Sequence, residues 1–265
     1  ESLHRLGKEG SYLEIDHKHG HDSFLIKSKA FLRSVRVFLK GVDEEEKEEQ
    51  NVDRFRKVEN RYEVKKEADF KVIDNWVQPE ESVLDLGCGR GILLEYLRDT
   101  KQVRGLGVDY DQGKATSSIA RGVAVYQEDI RRALENLGDQ SFDWVIFSRM
   151  IDELPQPGDV LLEALRVGKR VALSFVNHGY WRNRLHFLGK GMKIKNDVYP
   201  DHWEQSGLRN HFSISEFESF CWKHRVGPNA FEVGRKIYHQ GDWAKTCSLW
   251  PNLRAGLAIY ELARK

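Results

Sequence analysis

The chain has 265 residues, of which 40% are hydrophobic and 31% charged, with a formal net charge of +1. That composition fits a globular chain and excludes a disordered one, and the near-neutral charge gives no general attraction to nucleic acid or an anionic membrane. No apolar run approaches the roughly 20 residues of a membrane span, and three scattered cysteines, Cys88, Cys221 and Cys247, suit neither a disulfide framework nor a zinc site, so a reducing cytoplasm is expected.

Residues 1–41 begin with a strand-like run, Ser11 to Ile15, followed by a histidine-rich turn. Phe31, Val35, Phe38 and Leu39 then fall at i, i+4, i+7 and i+8, one face of a helix. Residues 42–64 carry the acidic run from Asp43 to Glu49 and few apolar side chains, which reads as a solvated linker or an exposed helix. From about residue 65 to residue 265 the pattern is that of a folded domain. Phe70, Ile73, Trp76 and Val77 predict a helical face, and Val83 to Leu86 a buried strand. Helices near 92–97, 112–121, 130–137 and 158–166 then alternate with strands at 105–108, 124–126, 144–147 and 170–175. Such alternation implies right-handed crossovers and a mostly parallel sheet covered by helices. Two further strand-like stretches, 231–238 and 257–262, are expected to pair as an antiparallel hairpin at the C-terminal edge.

The chemistry concentrates after the first strand of this domain. Asp85-Leu86-Gly87-Cys88-Gly89-Arg90-Gly91 places glycines at alternate positions between a strand and a helix. Glycine lets the chain turn tightly and lets its backbone approach a ligand with no Cβ in the way. Asp109 follows Gly87 by about 20 residues, where nucleotide-binding α/β folds grip a ribose diol. An ionised carboxylate accepts from both hydroxyls, and such a charge-assisted bond contributes roughly 1.5–3 kcal/mol. After the third strand, Glu128 or Asp129 can accept from an adenine amino group and the Ile130 amide can donate to a ring nitrogen, while Asp129 is equally suited to cap a helix. Cys88, Tyr110 beside Asp109, and Ser148 after the fourth strand complete the candidate binding set. A dinucleotide loop seats a pyrophosphate on G-x-G-x-x-G. This loop is G-x-G-x-G and opens on an acid, which repels a pyrophosphate and suits the amino group of S-adenosylmethionine (SAM).

Residues 66–265 resemble the MetW family of methionine biosynthesis, relatives of the class I SAM-dependent methyltransferases. Beyond the loop, the resemblance is carried by Leu97 to Lys101, Arg121 to Val123, Asp139 to Asp143, Arg166 to Gly168, Ser174-Phe175 with Asn177, Gly179 and Trp181-Arg182, and Pro251 to Leu253 with Ala258 to Tyr260. It implies a Rossmann-like methyltransferase fold with SAM as cofactor. Asp109 stands where the family pattern has Glu, and the segment 149–153 departs from that pattern.

The front piece, with Tyr12 to Ile15 and Gly20-His21-Asp22-Ser23-Phe24-Leu25, resembles the end of homoserine O-acetyltransferase (MetX), an α/β-hydrolase. The resemblance implies that His21 is a triad histidine, which takes the nucleophile's proton and returns it. No nucleophile-elbow word occurs in the 265 residues. With Glu1 at the start, this leads to the expectation that the chain is the end of a longer MetX–MetW fusion. The alternatives for this piece are a decorative N-terminal arm with surface histidines and a metal site of His17, His19 and His21; no metal is expected.

On the acceptor side the candidates are Asp152, Glu153, Asn177, His178, Tyr180, Trp181 and His211, each as readily a packing residue as a ligand. The Asn/Asp-Pro-Pro-aromatic word of amino-directed DNA methylation is absent after the fourth strand, where Ser148-Arg149-Met150 stands. The expected function is a SAM-binding companion of homoserine O-acetyltransferase, fused or in complex, that reports pathway output. The alternatives are a small-molecule methyltransferase and an interaction module that has lost SAM.

Overall fold

The computed structural model describes residues 68–192, 209–241 and 243–265. The expectations for 1–41, including His17, His19 and His21, and for the linker 42–64 lie outside the described residues. The described chain forms two units, one of residues 74–138 and one of residues 68–73 with 139–265. Helix α1 (Ala68–Trp76) comes first and buries Asp69, Ile73 and Trp76.

The first unit contains β1 (Ser82–Leu86), α2 (Ile92–Lys101), β2 (Arg104–Val108), α3 (Gln112–Ala120), β3 (Ala124–Tyr126) and α4 (Ile130–Glu135). Its three strands are parallel in the order β3-β2-β1, with Leu86 opposite Val108 and Val108 opposite Tyr126. Val83, Leu84 and Leu86 have no exposed surface, as a parallel strand covered on both faces requires. Helix α2 turns Leu93, Leu94 and Leu97 inward. The register aligns the C-terminal ends of all three strands, so residues 87, 109 and 127 leave the sheet along one edge.

The second unit contains β4 (Phe142–Ser148), α5 (Pro157–Val167), β5 (Gly168–Val176), α6 (Trp181–Lys190), α7 (Ile214–Lys223), β6 (Phe231–Gln240), α8 (Pro251–Arg254) and β7 (Ala255–Arg264). Strands β4 and β5 are parallel, β7 lies antiparallel between β5 and β6, and the order is β4-β5-β7-β6. The expected C-terminal hairpin is thus β6 and β7. Its core is aromatic: Phe175, Phe217 and Tyr260 meet with ring centroids 4.7–5.9 Å apart, the spacing of favourable tilted and offset pairs. Three helices, α6, α7 and the short α8, add to those predicted from periodicity. The start of α7 is fixed by a capping box between Ser213 and Glu216, which satisfies two amides at the helix start reciprocally.

Glu218 of α7 ties this helix to the hairpin. It accepts from Lys236 Nζ at 2.9 Å, from the Tyr238 hydroxyl at 3.0 Å and from the Tyr260 hydroxyl at 3.4 Å. Burial alone pushes its carboxyl up, but the hydrogen bonds from Lys236 and Tyr238 outweigh it and hold the group below the ordinary carboxylate range. A carboxyl depressed in the folded state stabilises the fold above its unfolded pKa of about 4.3, and that stabilisation is lost as pH falls through the folded value. Glu218→Gln is therefore expected to lower the melting temperature at pH 7. The gap to wild type should narrow steadily below about pH 4, as thermal melts across pH 3–7 would register. A gap independent of pH would contradict this assignment.

Candidate functional site

The loop after β1 is built from its backbone. The Gly87 and Cys88 amides both donate to the Val108 carbonyl, at 2.8 and 3.1 Å, which folds the chain across the end of β2. Gly87, Gly89 and Gly91 have φ of 73°, 59° and 75°, a left-handed region that side chains with a Cβ avoid. At Gly89 a Cβ would meet nothing within 4 Å, so conformation and not crowding requires glycine there. Open space lies over that bare backbone.

Two buried carboxylates flank the loop in sequence and register. Asp85 on β1 and Asp109 after β2 are 3% and 4% exposed. Asp109 Oδ2 accepts the Gly89 amide at 3.0 Å and Oδ1 accepts the Asp111 amide at 2.9 Å. Each oxygen of a carboxylate accepts two hydrogen bonds, so these contacts leave Asp109 acceptor capacity. Cys88 is packed against Gly107, where a Cβ would come within 2.5 Å of its sulfur. Burial, then the charges of Asp85 and Asp109, push its thiol far up. The Cys88 side chain thus packs inside the fold, in surroundings that disfavour the thiolate.

After β3, Glu128 Oε1 accepts the Asp129 amide at 2.8 Å and Asp129 Oδ1 accepts the Arg131 amide at 2.9 Å. Asp129 is the N-cap of α4, the capping role that its sequence position also allows. Ile130, the first residue of α4, is 7% exposed. Tyr110, next to Asp109, is 75% exposed. Asp85, the glycines, Cys88, Asp109, Tyr110, Glu128, Asp129 and Ile130 all belong to the first unit.

Ser148 is placed differently. It ends β4 in the second unit, and its hydroxyl donates to Asp69 Oδ2 at 2.8 Å. The same oxygen accepts from Ser174 at 2.7 Å and lies 3.1 Å from Arg149 Nε. Arg149 has a left-handed φ of 54°. Its amide donates to the Ser174 carbonyl and hydroxyl, and its guanidinium lies over the rings of Phe70 and Trp243. The sequence gives no sign of this cluster, because its acid stands 79 residues before Ser148 on the buried face of a helix.

The acceptor-side candidates divide. Asn177 is fully engaged: Nδ2 donates to the carbonyls of Asn252 and Ala255, and Oδ1 accepts the amides of Gly179 and Ile214. These four bonds fill its capacity, and Asn177 is a staple between loops. The Asp152 carbonyl accepts the amides of Arg209 and Asn210. Glu153 is exposed. His178 and His211 meet edge to face at 4.8 Å. The Tyr180 hydroxyl packs over Gly241, where a Cβ would overlap it. Trp181 lies on the surface with Arg182 over its ring. Among the described residues no cluster of three potential metal ligands occurs, and no helix is long and apolar enough to cross a membrane.

Residues 67–262 match the family model described as methionine biosynthesis protein MetW. The chain belongs to the MetW family. It is similar to the bifunctional methionine biosynthesis protein MetXA/MetW of Rhodopirellula baltica, with 30% identity over 283 aligned positions that include the whole of this chain and 42% of that relative. The chain thus spans less than half of that relative's length. It also resembles the ubiquinone biosynthesis O-methyltransferase of Hahella chejuensis, 38% identical over 102 residues, 34% of this chain and 40% of that enzyme. Among solved structures, a SAM-dependent methyltransferase from Archaeoglobus fulgidus matches with a TM-score of 0.54 at 16% identity over 77% of this chain and 94% of that one. One from Mesorhizobium loti matches with 0.53 at 11% identity, over 76% and 99%. The MetW chain therefore has the Rossmann-like fold of the SAM-dependent methyltransferases, with parallel strands and a C-terminal antiparallel hairpin.

Proposed function

We propose that this MetW-family chain binds SAM on its first unit and serves methionine biosynthesis beside a homoserine O-acetyltransferase. One observation carries the reading: a left-handed glycine loop of bare backbone follows β1, and Asp85, Asp109, Glu128 and Asp129 stand at or just after the aligned ends of β1, β2 and β3. Such a set repels phosphate and suits a cationic nucleoside. Asp109 would hold the ribose diol, Glu128 or Asp129 the adenine amino group, the Ile130 amide a ring nitrogen, and Asp85 the charged amino group. When bound, SAM supplies a methyl group on a positively charged sulfur. Calorimetric titration with SAM tests the reading, with micromolar affinity, about −8 kcal/mol, expected. No heat and no rise in melting temperature would remove it.

The relative supports the proposed partner. In the Rhodopirellula protein the MetW name is joined to MetXA, and the alignment runs through residues 1–66 of this chain as well. This supports reading residues 1–41 as the end of an acyltransferase domain with His21 as its triad base, and 42–64 as the linker. SAM is a product of methionine, so a SAM site coupled to the acyltransferase senses pathway output. Coupling requires SAM to bind two states of the protein unequally, by about 1–3 kcal/mol. The acyltransferase rate of the full-length fusion against SAM concentration should then change about 5-fold or more. An unchanged rate with SAM demonstrably bound refutes the sensor role.

A second reading, methyl transfer to a small molecule, is favoured by the fold and by the similarity to the ubiquinone pathway enzyme. Formation of S-adenosylhomocysteine with a defined acceptor would select it over the first.

A further inference from the structure

We infer that Ser118 of α3 is a positioning residue that sets the Gly89 peptide for the nucleoside. The inference rests on the proposal that SAM binds this loop. Gly89 is gripped at both of its polar groups. Its amide donates to Asp109 Oδ2 at 3.0 Å, and its carbonyl accepts from Ser118 Oγ at 3.0 Å. The two partners come from outside the loop, 20 and 29 residues further along the chain. No neighbour lies where a Cβ of Gly89 would be, and the Cys88 thiol lies 4.0 Å from the same carbonyl. A glycine reaches many other backbone conformations, and the bonds from Ser118 and to Asp109 favour this one.

Ser118 is built for this contact. It has no exposed surface. It lies against Gly91, where a Cβ would stand 2.9 Å from its hydroxyl oxygen. Glycine at 91 thus serves two ends, a left-handed φ and the approach of α3. The Ser118 hydroxyl also lies 3.2 Å from the Lys114 carbonyl of its own helix. One hydrogen serves both acceptors, and the shorter contact goes to the loop. Ser118 itself touches no ligand position; its effect passes through the Gly89 carbonyl. Without the hydroxyl the loop must be ordered at the moment of binding, which weakens affinity.

The test compares wild type, Ser118→Ala and the control Ser117→Ala, whose hydroxyl donates only to Gly113 on its own helix turn. Alanine favours helix, so Ser118→Ala should fold and melt cooperatively. Amide hydrogen exchange of the ligand-free protein is expected to show faster exchange across residues 87–91 in Ser118→Ala alone. Calorimetric Kd for SAM should rise about 2- to 10-fold in that variant, the effect of one neutral hydrogen bond, and stay at the wild-type value in Ser117→Ala. Unchanged loop exchange, unchanged Kd, or loss of cooperative melting in Ser118→Ala would each overturn the positioning role. Failure of wild type to bind SAM would sink the parent reading instead, and the exchange experiment would still decide whether Ser118 holds the loop.

Discussion

Replacing Asp69 by alanine is expected to lower the melting temperature by roughly 6–12 °C, a severe loss of stability for a single substitution. Asp69 has no exposed surface. One of its oxygens accepts both Ser148 and Ser174 and lies 3.1 Å from Arg149 Nε. Removing one member of a buried ion pair costs about 3–5 kcal/mol, because the other charge loses that partner. Arg149 keeps 18% of its side-chain surface in water, which argues for about 3 kcal/mol, the low end of that range. For a domain of this size each kcal/mol moves the midpoint by about 2–4 °C. Arg149 also carries a left-handed backbone, a cost of about 1 kcal/mol or more. It is held there by its amide bonds to Ser174, whose hydroxyl in turn leans on Asp69. Adding Arg149→Met to Asp69→Ala should therefore recover part of the loss. Urea denaturation of both single variants and the double variant closes the cycle. Losses that simply add would show that the two residues are not coupled.

The parallel strands are legible in the sequence because they are short apolar runs punctuated by glycine, such as Val83 to Leu86 before Gly87. Helices α6 and α7 are not. Helix α6 buries none of its residues: Trp181, Leu185 and Leu188, spaced like a core face, are 41%, 57% and 82% exposed. Helix α7 does carry a signal, the Ser213-x-x-Glu216 box, which apolar periodicity alone passes over. At the candidate site, spacing singles out the loop, Asp109 and the acids after β3 as the proposed binding groups. It does not reveal what holds them. The grip of Ser118 on Gly89 and of Asp69 on Ser148 join residues 29 and 79 positions apart, and no local pattern encodes such pairs. The bond from the Ser148 hydroxyl to Asp69 is likewise invisible to strand order alone.

Asp109→Ala is expected to weaken SAM binding by roughly 10- to 100-fold, the loss of a charge-assisted hydrogen bond to the ribose at about 1.5–3 kcal/mol. The carboxylate braces the loop through the Gly89 and Asp111 amides, and on the proposed reading its remaining acceptor sites would take a diol. Asp109→Asn is no gentler in kind. Whichever way the amide turns, its NH2 group faces either the Gly89 or the Asp111 amide, a donor against a donor. Both variants should therefore bind poorly. Parallel titrations with SAM and S-adenosylhomocysteine separate the causes. The two ligands share the ribose and differ in the charge on sulfur. A carboxylate that acts on the ribose costs both ligands the same factor when removed. A carboxylate that acts chiefly through the field at the sulfur costs SAM more, and that result would reassign Asp109.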